Sequence, residues 1–286
     1  MNNNNLTVII PTLNEAKNLP YLLKDLSNQT FKNFRVIIVD GNSEDNTVKT
    51  ALKYREKKLS ISIVLSSKRN VSFQRNLGAK KSKSDWIVFM DADNRIPSFY
   101  LQGLVFYSEM LDIDFISSWI DPDTNSTIDK ATANIINVIM DISKNTPNPY
   151  ILESMILAKK DSFLKLNGFD ETIHWHEGGD LLRRARGKRM KFDFIKNPKY
   201  KYSFRRLRKS GKFSVLQKVI RMEFGRMLDK NKANDLNLFY PMEGGTFYQV
   251  NKQTKQKLQG IVSEMFNNEA QSPKLNWIER LIKKYI

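Results

Sequence analysis

The sequence predicts an α/β fold, with a mostly parallel central sheet flanked by helices and a helical extension at the C-terminal end. Two observations carry this. Short apolar runs alternate with amphipathic stretches through the first half of the chain, the signature of parallel strands joined by crossover helices. Two of those runs end abruptly in acidic, turn-forming residues, where strands of such a sheet open into ligand-binding loops.

Taken in order, residues 6–10 form a buried strand closed by Pro11. Residues 15–26 place Leu19, Leu22, Leu23 and Leu26 on one helical face. Residues 34–39 give a second strand, closed by Asp40-Gly41-Asn42-Ser43; Ser43 or Asp45 then caps a helix containing Val48, Ala51, Leu52 and Tyr54. A strand over 61–65, a helix over 72–81 and a strand over 86–90 follow, the last running into Asp91-Ala92-Asp93. Beyond it the pattern predicts a helix over 97–110, a strand over 114–120, a helix over 128–142 and a strand over 150–158. A turn at 167–170, a helix over 177–187, a strand over 190–195 and a helix over 213–228 complete it. The polar stretch 251–259 reads as a loose boundary before the tail.

The chain has 286 residues, of which 41% are hydrophobic, enough for a full core. It has no cysteine, which excludes disulfides, thiolate metal sites and a cysteine nucleophile. The first residues, Met1 to Asn5, lack the basic and apolar regions of a signal peptide, and no apolar run approaches the ~20 residues of a membrane span. A cytoplasmic protein is expected, peripheral on the membrane at most. The net charge of +17 points to an anionic partner, although a Lys-, Asn- and Ile-rich composition also follows from A+T-rich coding DNA. Within residues 275–286, Leu275, Ile278, Leu281 and Ile282 share a face, with Arg280, Lys283 and Lys284 largely opposite. Such a helix lies on an anionic membrane or packs on protein.

Asp91 and Asp93 are two carboxylates where a strand becomes a loop, and both can turn toward one hard divalent cation, Mn²⁺ or Mg²⁺, shared with substrate phosphates. Three further stretches accompany them: Val8-Ile9-Ile10-Pro11-Thr12-Leu13-Asn14-Glu15, Val39-Asp40-Gly41-Asn42-Ser43-Glu44-Asp45-Asn46-Thr47, and Arg69 followed by Gln74-Arg75-Asn76-Leu77-Gly78. In this order and spacing the first hundred residues closely resemble family 2 glycosyltransferases of the GT-A fold. The resemblance implies a metal-dependent, inverting transfer from a UDP- or GDP-sugar to a glycan or lipid-linked acceptor. It implies that Pro11, Thr12, Asn14 and Glu15 line the nucleotide pocket with Asn42, Arg69, Gln74 and Ala92. Asp40 would read the base, Arg75 would lie near the base or the diphosphate, Asp91 would hold the ribose or sugar, and Asp93 would bind the metal. Residues 1–210 would then be the catalytic domain, divided into a nucleotide-sugar half (1–95) and an acceptor half (96–210), and residues 211–286 the helical extension.

The second half matches through Asn167-Gly168-Phe169-Asp170-Glu171, then departs. Where such enzymes usually show E-D-x-D-L-x-x-R, with the first Asp as general base, this chain reads Glu177-Gly178-Gly179-Asp180-Leu181-Leu182-Arg183-Arg184. Glu177 or Asp180 is the candidate base; Asp180 equally fits an ion pair with Arg183 or Arg184. The two histidines, His174 and His176, precede this motif, with Trp175 between them as a candidate for stacking on a sugar, and His176 is a candidate metal ligand. Arg205, Arg206, Arg208 and Lys209 form a basic segment fit to clamp a diphosphate, or a solvated charged face. A nucleotidyltransferase is the runner-up among enzymes, but the loop from Pro11 to Leu19 has no glycine for a phosphate cradle. No nucleic-acid-binding signature accompanies the basic charge, and no nucleic acid is expected. Gly178 leaves open a nucleotide-sugar-binding protein without catalysis.

Overall fold

The computed structural model describes residues 6–56, 59–174 and 176–205. The expected helices over 213–228 and 275–286 lie outside these residues, as do the boundary at 251–259, Trp175, Arg206, Arg208 and Lys209.

The first half runs β1 (Leu6–Thr12), α1 (Leu19–Ser27), β2 (Phe34–Asp40), α2 (Thr47–Glu56), β3 (Ile61–Leu65), α3 (Val71–Lys81) and β4 (Trp86–Met90). The second runs α4 (Tyr100–Met110), β5 (Phe115–Pro122), α5 (Thr127–Ser143), β6 (Met155–Lys159), α6 (Lys160–Lys165), α7 (Glu177–Gly187) and β7 (Phe192–Tyr202). The strands form one sheet in the order β3-β2-β1-β4-β6-β5-β7. β1 pairs in parallel with both β2 and β4, and every residue of β1 and β4 is buried. Burial on both faces is why these strands read as unbroken apolar runs rather than as alternating patterns. Pro11 is tolerated in β1 because the pairing to β4 has already ended at Ile9, opposite Phe89.

β6 departs from the parallel pattern and runs antiparallel to both β4 and β5. Its beginning therefore lies at the rim where β1, β2 and β4 end. Met90 faces Met155 in register, and the Asp91 amide continues the ladder by donating to the Ser154 carbonyl at 3.0 Å. The strand expected over 150–158 is shorter at its start: β6 begins at Met155. The helix expected from Glu15 begins at Leu19: Asn18 N and Leu19 N both donate to the Glu15 carbonyl, turning the chain before Pro20 enters the first turn. Phe89, Phe163 and Phe169 pack with ring centroids 5.0–5.3 Å apart, seating α6 and the following turn against β4. Among the described residues, no helix is long and apolar enough to cross a membrane.

Candidate active site

The carboxyl ends of β1 and β2 lie side by side, Thr12 opposite Asp40. The Asp40 carboxylate is buried and accepts from Thr12 Oγ1 (2.8 Å), Ser43 N (2.8 Å) and Ser43 Oγ (2.6 Å). These bonds shape the loop after β2, and a carboxylate retains acceptor capacity beyond three donors. Gln74, on α3, donates to the Thr12 and Val39 carbonyls at 2.9 and 2.8 Å, so it braces the two strand ends from below. Gly41 sits against that brace, where a Cβ would come within 3.2 Å of Gln74 Nε2. Asn14, at φ 56°, accepts the Glu44 amide through its side chain. Arg69 reaches the exposed Asn42 carbonyl at 3.1 Å and Glu44 at 2.6 Å, outlining the same loop.

Arg75 stands at the centre of the rim. Its side chain is 2% exposed, donating from Nη1 to Glu177 Oε1 and from Nη2 to Asp91 Oδ1, both at 2.9 Å. Its Nε has no hydrogen-bond partner among the described residues. Burial alone would lower the Arg75 pKa, but the charges of Asp91, Glu177 and Glu153 outweigh it and hold the guanidinium above its ordinary value. The residue beside it explains the placement: the Asn76 side-chain amide both donates to and accepts from the Phe169 backbone, at 2.9 Å each way, tying α3 to the turn that precedes α7. With α3 anchored in this way, Arg75 reaches β4 and α7 together.

Asp93 lies further out, beside a cation of the chain's own. Arg205 Nη2 is 3.1 Å from Asp93 Oδ2 and 3.6 Å from Glu15 Oε1. Burial pushes the Glu15 carboxyl above its usual range; the hydrogen bond from Asn18 opposes this, and the negative charge of Asp93 adds to it. Ala92 turns inward and is buried. Acidic oxygens that draw in a guanidinium fit a divalent cation, and one or two protein carboxylates suffice where phosphate oxygens complete the shell. Among the described residues no group of three or more His, Asp or Glu side chains could hold a metal. His176 does not form such a group with Asp91 and Asp93. Its ring stacks on Tyr150 at 5.8 Å between centroids and covers Gly179, where a Cβ would collide with it. His174 is exposed.

The two candidate bases are otherwise engaged. Glu177 is 2% exposed and bound to Arg75, so it has no open path to an acceptor. Asp180 pairs with Arg183 and Arg184 one turn along α7, the ion-pair alternative weighed for it. The residue missed in the sequence is Glu153, just before β6. Its Oε1 accepts the Gly178 amide at 3.2 Å, and its Cγ and Oε1 lie 2.9 and 3.2 Å from where a Cβ on Gly178 would stand. Burial, then the neighbouring Glu177 carboxylate, push its pKa up to about 8. One signal was available: an acidic residue alone within the apolar run Tyr150-Ile151-Leu152-Glu153-Ser154-Met155.

Residues 7–166, more than half of the chain, match the family described as Glycosyl transferase family 2. The chain is 27% identical over 186 residues to an uncharacterized glycosyltransferase of Haemophilus influenzae, covering 62% of this chain and 60% of that one. The matched region spans a smaller share still of two other curated relatives, 28% and 35%. Among solved structures, the mannosyltransferase PcManGT of Pyrobaculum calidifontis, in complex with GDP-Man and Mn²⁺, has TM-score 0.63 at 16% identity, covering 93% of this chain and 88% of that one. Staphylococcus aureus TarS 1–349, in complex with UDP-GlcNAc, has TM-score 0.56 at 18% identity, covering 89% and 78%. At these identities the likeness is one of fold, the GT-A fold.

Proposed function

The chain belongs to glycosyl transferase family 2, and from that premise we propose that it moves a sugar from a UDP- or GDP-sugar to a glycan, lipid or lipid-phosphate acceptor, with inversion. The observation that carries this reading is the Arg75 hub, which joins the end of β4 through Asp91 to the start of α7 through Glu177, on the rim where β1 and β2 also end. A ligand on that rim meets the loop shaped by Asp40, with Pro11, Thr12, Asn14, Asn42 and Arg69 around it, and the acidic pair of Asp93 and Glu15.

Asp93, with Asp91 or Glu15, would hold Mn²⁺ or Mg²⁺, which when bound neutralises charge developing on a leaving nucleoside diphosphate. Asp91, steadied by Arg75, would accept from ribose or sugar hydroxyls. Arg205 would turn from Asp93 to the diphosphate once the nucleotide enters. PcManGT and TarS, solved with GDP-Man and UDP-GlcNAc, support a nucleotide-sugar donor. In this reading residues 1–95 serve the donor, 96–210 the acceptor and 211–286 an appended region, and the basic amphipathic segment 275–286 would rest on the cytoplasmic membrane face. Co-sedimentation with anionic vesicles, lost on deleting residues 274–286, tests that contact.

The donor site is tested by titrating UDP and GDP calorimetrically, with and without Mn²⁺, against wild type and Asp93→Ala. Metal-dependent binding of one nucleotide, weakened in the variant, is expected; heat from neither nucleotide under either condition removes the donor reading. Gly178 favours one competing reading, a protein that binds the donor without transferring it. That reading predicts normal titration and no turnover.

A further inference from the structure

Around Arg75 stand three carboxylates, and they are not equivalent. Asp91 and Glu177 each take one of its terminal nitrogens at 2.9 Å. Glu153 takes neither, and its carboxylate accepts the Gly178 amide instead. Glu177 is sealed, whereas Glu153 is partly exposed. Because β6 runs antiparallel, Glu153 reaches the rim beside Asp91, whose amide is bonded to the residue after it.

Gly178 makes this arrangement possible. A side chain there would meet Ile151 Cγ2 at 2.8 Å and Glu153 Cγ at 2.9 Å. The space that a residue at 178 would fill, on the first turn of α7 and facing the rim, is taken by the Glu153 side chain.

We infer that Glu153 is the general base of this chain, a carboxylate supplied from the β6 side into the position that Gly178 leaves vacant. The inference rests on the glycosyltransferase reading above. In the step it serves, the acceptor oxygen bonds to the anomeric carbon while the bond from that carbon to the diphosphate oxygen breaks, its electron pair leaving with the nucleoside diphosphate. The acceptor's hydroxyl proton passes to Glu153. The charged groups facing Glu153 are Glu177 from α7 and Arg75 from α3. With a proton affinity raised into the neutral range, Glu153 is a stronger base than an ordinary carboxylate, and it is ionised only as the pH passes about 8.

The test uses the full chain with Mn²⁺ and with UDP-GlcNAc and GDP-mannose in turn, water serving as acceptor, and follows nucleoside diphosphate release from pH 6 to pH 9.5. Wild type is expected to speed up through pH 8. Glu153→Gln should lose about 10²- to 10⁴-fold in rate and the pH dependence with it, while UDP or GDP affinity, measured by calorimetry, stays within about threefold. Glu153→Asp should keep a rising limb at a displaced midpoint, and it carries the comparison if Glu153→Gln binds no nucleotide. Wild-type turnover with an unaltered rate and pH profile in Glu153→Gln overturns the assignment alone. A wild type that neither binds nucleotide nor releases it from either donor overturns the transferase reading, and this inference with it.

Discussion

Arg205 Nη2 stands 3.1 Å from Asp93 Oδ2, so in the ligand-free chain the acidic edge of the rim already has a cation. Any divalent metal at Asp93 has to displace that guanidinium. Arg205→Ala should therefore tighten Mn²⁺ binding in the absence of nucleotide, by several-fold, since a partly exposed ion pair is worth at most about 1 kcal/mol. The same variant should weaken UDP or GDP binding in the presence of Mn²⁺, because the displaced guanidinium is then free for the diphosphate. Electron paramagnetic resonance titration of free Mn²⁺ reads the first effect and calorimetry the second. Equal Mn²⁺ affinity in variant and wild type would count against the exchange.

Arg75 gives a second expectation. Its side chain is almost fully buried between two carboxylates, so replacing it by methionine leaves Glu177 uncompensated in the interior. Removing one partner of a buried pair costs about 3–5 kcal/mol. Arg75→Met should lose stability of that order in urea denaturation. The double variant Arg75→Met/Glu177→Gln should recover much of it, since the stranded charge is then gone.

The sequence made the β1, β2 and β4 side of this rim legible and the β6 side obscure, for a physical reason. β1, β2 and β4 are buried on both faces, so their apolar runs announce them, and the acids that end two of those runs mark the rim. Asp40, Asp91 and Asp93 needed no more than that. The direction of β6 has no comparable signal, because an apolar strand reads the same whether it runs parallel or antiparallel. Reading residues 150–158 as one strand placed Glu153 inside the sheet instead of at its edge. The pairing of Arg75 with Glu177 spans 102 residues, beyond any local pattern. Gly178 left a protein without catalysis open in the sequence; in the structure its missing side chain leaves the room that Glu153 occupies.

Gly78 makes a third expectation, on stability. It lies where α3 crosses β1, and a Cβ there would come within 2.4 Å of Ile9 Cγ2 and 3.2 Å of Val39 Cγ2. Both contacts are in the core, with no flexible end to swing away. Gly78→Ala gains helix propensity worth about 0.8–1.0 kcal/mol, but overpacking of this kind costs about 1–3 kcal/mol. Net destabilisation is expected. Because Gln74 and Arg75 ride on the same helix, a loss of nucleotide affinity should accompany it. Thermal melting and UDP or GDP titration of this variant together check both; an unchanged melting temperature would mean that α3 shifts without penalty.

Glu153 also makes stability itself depend on pH. Its folded pKa, about 8, lies above the ordinary glutamate value of 4.5, so between these two pH values the folded chain holds a proton that the unfolded chain has released. Stability must then fall as the pH rises through that window, by at most about 1.4 kcal/mol per unit from this group. Below pH 4.5 both states are protonated and the slope vanishes; above about 8 both are ionised and the slope vanishes again, with the burial penalty fully present. Glu15, also raised by burial, adds a slope of the same sign that begins above its ordinary value. Glu153→Gln cannot ionise, so between pH 6 and pH 8 it should lose less stability than wild type and be the more stable of the two at pH 8.5. Urea denaturation of both proteins at pH 6, 7 and 8.5 measures the difference. Parallel curves would mean that Glu153 titrates in the ordinary carboxylate range, and the rising limb of the rate profile through pH 8 would then need another group.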